Sequence, residues 1–355
     1  MSATYGCAVR IGLTTNYAGG FEATAAEIAD LERAGLDIVF VPEAYSFDAV
    51  SALGFLAART TRLQLASGIL QLYTRTPSLT AMTAAGLDYV SGGRFVLGLG
   101  ASGPQVVEGF HGVPYDAPLG RTREIIEICR QVWRREEVVH AGRYYQIPLP
   151  ADQGTGLGKP LKLINHPVRE RIPILLAALG PKNVELTAEL AEGWQPIFFD
   201  PDKAERVWGE SLAAGRAKRD PALGELDIYA GPALAIGDDV EPLLDWVKPM
   251  MALYIGGMGA RTKNFYFELA TRYGYGDAAA RIQELYLSGE KTAAAAAVPT
   301  ELVRAVSLIG PAGFVAERVA AFAAAGVTCL NVAPLGTDTA ARVGLIEQLR
   351  SIIDA

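Results

Sequence analysis

Cysteine is scarce in this chain. Its three copies, Cys7, Cys129 and Cys329, lie far apart, with no C-x-x-C pair and no Cys/His cluster. An odd number of scattered cysteines argues against a disulfide framework and a zinc site, and fits a reducing compartment. Histidine is equally sparse: His111, His140 and His166 have no metal-ligand spacing, so no metal centre is expected. Positive charge is short as well, 32 Lys and Arg against 39 Asp and Glu, a net charge of −7. That balance speaks against nucleic acid or an anionic membrane as the main partner, although a local basic pocket for an anionic cofactor remains open. No apolar run approaches the roughly 18 residues of a membrane span, and the first residues form no signal-like apolar stretch. The expected location is the cytoplasm. Also missing are G-x-S-x-G, a Walker loop, H-E-x-x-H and a paired-carboxylate signature, so hydrolysis by a nucleophile or a metal has no support. There is no internal repeat, and no low-complexity tract beyond Ala293–Ala297.

What is present is alternation, built on a composition that is 50% hydrophobic. Strand-like apolar runs at Ala8–Leu13, Asp37–Val41, Leu63–Leu70, Phe95–Leu99, Ile172–Ala177, Gly193–Phe198, Leu226–Ala235 and Val327–Val332 are separated by segments of helical spacing. The helical segments are Phe21–Ala34, Phe47–Arg59, Pro77–Val90, Leu119–Arg135, Pro181–Ala191, Pro201–Lys218, the stretch from Gly310-Pro311 to Ala325, and Thr339–Ile353. Eight strands, nearly all followed by helices, predict an α/β fold, a (β/α)8 TIM barrel, as one domain over residues 1–355. A doubly wound sheet is the alternative, but no G-x-G-x-x-G follows the first strand. Two insertions follow strands four and seven. The first holds a hairpin over Val138–Ile147 and a Pro- and Gly-rich excursion over Pro148–Arg171; the second is helix-rich from Glu241 to about Arg304.

In parallel α/β proteins ligands bind at the carboxyl ends of strands. Small residues cluster there. Ser67-Gly68-Ile69 ends strand three, Ala101-Ser102-Gly103 leads from strand four towards Gln105, and Ala177-Ala178-Leu179-Gly180 leads from strand five into Pro181-Lys182. Loops of this kind let amides approach a ligand, and free amides at a helix start favour a phosphate or carboxylate; they also suit tight turns. Glu43 ends strand two, where it either faces a ligand or sits in solvent. His111 is the histidine best placed for the site, with a structural role as the alternative. His140, beside the hairpin turn, is expected in solvent.

Taken in order, Phe40-Val41-Pro42-Glu43-Ala44-Tyr45, Ser67-Gly68-Ile69 with Tyr73-Thr74-Arg75-Thr76-Pro77, Ser91-Gly92-Gly93-Arg94 with Phe95–Gly100, and Leu176–Asn183 resemble the bacterial-luciferase-like superfamily. Within it the chain is most similar to the coenzyme F420-dependent oxidoreductases of actinobacteria. The resemblance covers nearly the whole chain. It implies a barrel that binds a deazaflavin, or alternatively FMN, at the strand ends. A non-prolyl cis peptide at Gly68–Ile69 would back the ring, with Ser67 beside it. Ala101, Ser102, Gly103 and Gln105, together with Ala177, Ala178, Leu179, Gly180 and Lys182, would form the cofactor's binding loops and hold its phosphate, and Glu43 would approach the polar edge of the ring. Several relatives carry a His directly after the strand-two acid; here that position is Ala44. In the sugar-phosphate dehydrogenase branch a Glu often follows the strand-four glycines; here Gly103 or Pro104 stands there. Sugar-phosphate and alcohol oxidation are therefore not expected.

The expected chemistry is hydride transfer between the deazaflavin C5 and a small organic substrate, as reduction of an activated C=C or C=N bond. The candidate catalytic residues are Glu43 and His111, with Tyr45 and Tyr73 as further proton donors. Substrate contacts are expected from the insertions, including Tyr254–Phe267. An FMN-dependent monooxygenase and a non-catalytic cofactor binder are the alternatives. The oligomer is left open, a homodimer being one arrangement.

Overall fold

The structure is a computed structural model, and it describes residues 9–16 and 20–355. Cys7 and the predicted start of the first strand at Ala8 lie outside the described residues. Eight parallel strands form a closed barrel: Arg10–Thr14, Ile38–Val41, Gln64–Ser67, Phe95–Gly100, Ile174–Ala177, Gly193–Gln195, Asp227–Ala230 and Cys329–Pro334. Closure is made by the first and last strands, with Arg10 opposite Cys329 and Val332 opposite Leu13. The predicted (β/α)8 architecture is the one observed, with long insertions after the fourth and seventh strands.

The barrel's inside is small and packed. Ile38, Phe40, Ala66, Val96, Leu175, Tyr229 and Cys329 fill it, and Ile69 packs on them from the mouth. Gly12 and Gly193 make room for this filling, since a methyl group at Gly12 would meet Ile38 at 2.9 Å and one at Gly193 would meet Tyr229 at 2.7 Å. Arg10 closes the amino end, pairing with Asp227 at 2.8 Å and donating to Gln64 at 3.2 Å. The larger apolar core lies outside the strands, under the helices.

Local chemistry explains the unit around strands three and four. The helix Pro77–Val90 begins with Pro77 in its first turn and the Thr76 hydroxyl accepting from the Leu79 amide. It ends at Ser91, and Gly92 and Gly93 follow at φ 68° and 85°, a region that glycine enters without penalty. Arg94 then donates to the carbonyls of Ala57, Thr60, Leu63 and Ser91. One guanidinium thus ties the preceding helix, the start of strand three and the start of strand four together.

Three expectations need correction. The third run is not one strand: it breaks at Gly68–Ile69 and resumes as Leu70–Gln71, which pairs with Leu99 and Gly100. The seventh breaks at Gly231-Pro232 because proline cannot donate to a ladder; its second half, Ala233–Ile236, pairs with Leu308–Gly310, a short strand between the predicted helix-rich insertion and the helix that Gly310-Pro311 opens. The hairpin keeps only His140–Ala141 against Gln146–Ile147. Among the described residues no helix is long and apolar enough to cross a membrane.

Candidate functional site at the barrel mouth

The Gly68–Ile69 peptide is cis, at the position the sequence predicts. The bulge is closely fitted. A methyl group at Gly68 would lie 2.9 Å from Phe40 Cβ, and one at Gly100 would lie 2.9 Å from the Ile69 side chain. Gly98 is tighter still, its missing Cβ falling 1.8 Å from the Ser67 carbonyl oxygen. Ser67 itself is fully buried, accepting from the Gly98 amide at 2.8 Å and donating to the Gly98 carbonyl at 2.9 Å. Its hydroxyl therefore clamps two strands and does not face a ligand, which corrects the expectation for that side chain.

The two predicted loops leave adjacent strands, since strand four pairs with strand five through Leu99 and Leu176. A methyl group at Gly100 would lie 3.6 Å from Ala177 Cβ. Ser102 takes φ 58°, a left-handed conformation, and Gly103 caps the short helix Pro104–Val107 that contains Gln105. Among the described residues, the amides of Ala101, Ser102 and Gly103 donate to no backbone or side-chain acceptor, nor do those of Ala178, Leu179 and Gly180. Their carbonyls are held instead: the Trp194 indole donates to Ala178 at 2.9 Å and the Trp208 indole to Leu179 at 3.2 Å. Two buried tryptophans thus fix the second loop, leaving its amides to a partner. Lys182 lies in the first turn of Pro181–Leu190, 79% exposed and paired with Glu185 at 2.9 Å. Phe265, from the second insertion, packs close to Gly180.

Glu43 is buried, and its carboxylate is fully engaged. Arg75 donates to it through both nitrogens at 2.8 and 2.7 Å, and the Ala49 amide adds a third bond at 3.2 Å. Arg75 also reaches Asp48 at 2.5 Å, and its guanidinium pKa is raised, first by the Glu43 hydrogen bonds. Both oxygens are taken up in this bidentate pair, so Glu43 is held against Arg75 and is not the free, ligand-facing carboxylate expected of it. Next to it, Ala44 sits at φ 43°. Its carbonyl accepts from Gln71 Nε2 at 2.6 Å, and the same nitrogen lies 3.3 Å from His111 Nε2. His111 is half-buried, edge-on to Phe110, whose ring in turn packs against Tyr45. The mouth therefore brings His111 within one amide of the strand-two end.

Tyr73 donates to the Asp116 carbonyl at 2.9 Å, and burial pushes its phenol pKa well up, which disfavours it as an acid. Tyr73, Arg75, Val113, Asp116, Arg121 and Tyr145 line a cavity of about 450 Å³ beside the site. Phe198, Tyr254 and Tyr266 form a second aromatic wall, with ring centroids 4.7 to 6.4 Å apart. His140 is not in solvent as expected: its Nε2 lies 3.3 Å from Glu124 Oε2, with 10% of the side chain exposed. His166 meets Arg135 far along the excursion. Gln71 was missed in the sequence because it falls just past the apolar run Leu63–Leu70 and belongs to no chemical motif. Its only signal is that it is the first polar side chain after the Gly68–Ile69 bulge.

The sequence profile of the luciferase-like monooxygenase family matches residues 1–329. A Mycobacterium tuberculosis protein provisionally named a coenzyme F420-dependent oxidoreductase is 43% identical over 329 residues, covering 91% of this chain and 94% of its own. Among solved structures, the coenzyme F420-dependent tetrahydromethanopterin reductase from Methanopyrus kandleri superposes with a TM-score of 0.79 at 22% identity, covering 97% of each chain. An F420-dependent secondary alcohol dehydrogenase in complex with an F420-acetone adduct gives 0.75 at 15% identity, over 98% of this chain and 99% of its own. At those identities the two structures speak for the fold alone.

Proposed function

The chain belongs to the luciferase-like monooxygenase family and is an oxidoreductase; from that premise we propose that it uses coenzyme F420, whose deazaflavin C5 exchanges a hydride with a small organic substrate, in the direction that reduces an activated C=C or C=N bond. The observation that carries this reading is the pair of neighbouring loops at the ends of strands four and five, each with three unpaired amides above a glycine-lined bulge. Ala101–Gly103 and Ala178–Gly180 would hold an anionic tail. Ile69 and the Gly68 and Gly100 backbone would form a floor against which a flat ring can lie. The protein's task is to orient and exclude water, since the redox chemistry belongs to the cofactor.

The direction rests on what is free to carry a proton. Alcohol oxidation needs a base at the substrate hydroxyl, worth about 10²–10⁴-fold in rate. Glu43 is held by both terminal nitrogens of Arg75, and Ala44 offers no titratable group. Reduction of a polarised double bond asks less of the protein, because the substrate draws the hydride itself and solvent can protonate the anion that forms.

Fluorescence titration with F420 and FMN, followed by assay at the deazaflavin absorbance band, tests the reading. Tighter binding of F420, with reduction of 2-cyclohexen-1-one or an imine and negligible oxidation of isopropanol or glucose 6-phosphate, is expected. FMN binding without F420 binding, with oxygen consumption, would make the protein a monooxygenase. Tight F420 binding without turnover of any substrate would make it a cofactor binder.

A further inference from the structure

Gln71 is 98% buried and sits between two groups that constrain its amide differently. On one side the Ala44 carbonyl oxygen stands 2.6 Å from Nε2. A carbonyl only accepts, so the Gln71 atom facing it must be the NH2 group; turned by half a rotation, two oxygens would face each other at that distance. The second hydrogen of the same NH2 points at His111 Nε2, 3.3 Å away. That ring nitrogen must then be the acceptor, because an N–H there would meet another N–H. The orientation leaves Gln71 Oε1 buried with no partner among the described residues, so the amide is held by its two donor contacts and not by its own acceptor.

We infer that Gln71 is a positioning residue that holds the His111 imidazole with its proton on Nδ1, so that Nδ1–H is the donor His111 presents to substrate at the barrel mouth. The tautomer follows from the two contacts; its use on a substrate rests on the oxidoreductase reading above. The ordering has a chain of supports. Ala44 is set by its left-handed backbone beside the Glu43–Arg75 pair. Gln71 is set by the pairing of Leu70–Gln71 with Leu99 and Gly100, directly after the Gly68–Ile69 bulge. His111 arrives from the insertion after strand four and meets no other described hydrogen-bond partner through its ring. Proton balance is simple: Nδ1–H donates a hydrogen bond to the substrate atom that gains negative charge as the hydride arrives, the carbon or nitrogen left anionic takes its proton from solvent, and the ring keeps its own proton.

The chain has only three histidines, so 15N-detected NMR can assign each ring by removing one at a time. In the wild-type protein at neutral pH, His111 is expected to show the Nδ1–H pattern. Gln71→Met keeps the length but removes the donor, and should let the proton move to Nε2, the form a free imidazole favours. Gln71→Leu should release the preference. Enone reduction by F420H2 should fall by about 10²-fold in His111→Ala and by at least about 10-fold in both Gln71 variants, with the F420 Kd little changed. An Nε2–H pattern in the wild type, or an Nδ1–H pattern that persists in Gln71→Met, overturns the inference. Folding is checked independently by the unchanged signals of His140 and His166. Should the NMR pattern come out as expected while the wild type neither binds F420 nor reduces the enone, the positioning role stands and the oxidoreductase reading falls.

Discussion

At the scale of single residues, the mouth is governed by atoms that are absent. Gly98 lacks a Cβ because the Ser67 carbonyl oxygen occupies its place at 1.8 Å, and backbone cannot swing aside as a side chain can. Gly68 has a milder neighbour, the Phe40 side chain at 2.9 Å. Gly68→Ala should therefore cost about 1–3 kcal/mol, the usual penalty of overpacking. Gly98→Ala should cost more and displace the Ser67 clamp. Urea denaturation with intrinsic fluorescence measures both, and equal losses for the two variants would contradict the distinction between backbone and side-chain obstruction. Glu43 carries the complementary lesson. Its position at the end of strand two was readable, but the neighbour 32 residues later that takes both its oxygens was not.

At the scale of elements, two buried carboxylates hold loops that no helix or strand would otherwise fix. Glu32 accepts from the amides of Thr61, Arg62 and Leu63, and Glu124 from those of Arg143, Tyr144 and Tyr145. Burial alone would push both pKa values up, yet the amides outweigh it and hold them below the ordinary carboxylate range. A depressed pKa means that the stabilisation is complete above the unfolded value of about 4.3 and is lost as pH falls through the folded value. The hairpin over 140–147 is consequently expected to loosen in acid before the barrel melts. Hydrogen exchange at Arg143–Tyr145 between pH 6 and pH 3 would register this, and Glu124→Gln should show the same loosening at neutral pH. With one or two amides unpaired, its stability loss should be about 1–3 kcal/mol. Protection that is unchanged in both cases would remove Glu124 from this role.

At the scale of the whole molecule, one outer face is unusually apolar. Along Pro77–Val90 the side chains of Leu79, Met82, Tyr89 and Val90 stand between 47% and 66% exposed, and Gly86 between them has open space above it. The helix Ala49–Arg59, which packs alongside, adds Phe55. A face of this kind is stable in water when another surface covers it, and a second copy of the chain brings a matching stripe. The sequence left the oligomer open, and we propose a homodimer through this face. Light scattering should give twice the chain mass, and the Met82→Glu/Val90→Glu double variant should give a monomer that keeps its fold. A monomeric wild type at micromolar concentration would set the idea aside.

Alternation of apolar runs with helical spacing determined the barrel, because eight parallel strands need covering helices on the outside and the chain offers almost nothing else. Small residues at strand ends marked a candidate site, and the Gly68–Ile69 peptide is cis where the family resemblance implies it. The helices Pro77–Val90 and Thr339–Ile353 match to the residue, since a proline or an aspartate cap marks their starts locally. What only tertiary structure decided is which side chains are free. Ser67 and Glu43 read as ligand-facing and are instead consumed by Gly98 and Arg75; His140 read as solvent-exposed and lies against Glu124; Gln71 drew no reading and links Ala44 to His111. The reason is physical. Backbone conformation follows from patterns a few residues long, whereas a polar side chain is engaged by whichever group the fold brings within about 3.3 Å, and those partners come from up to 40 residues away.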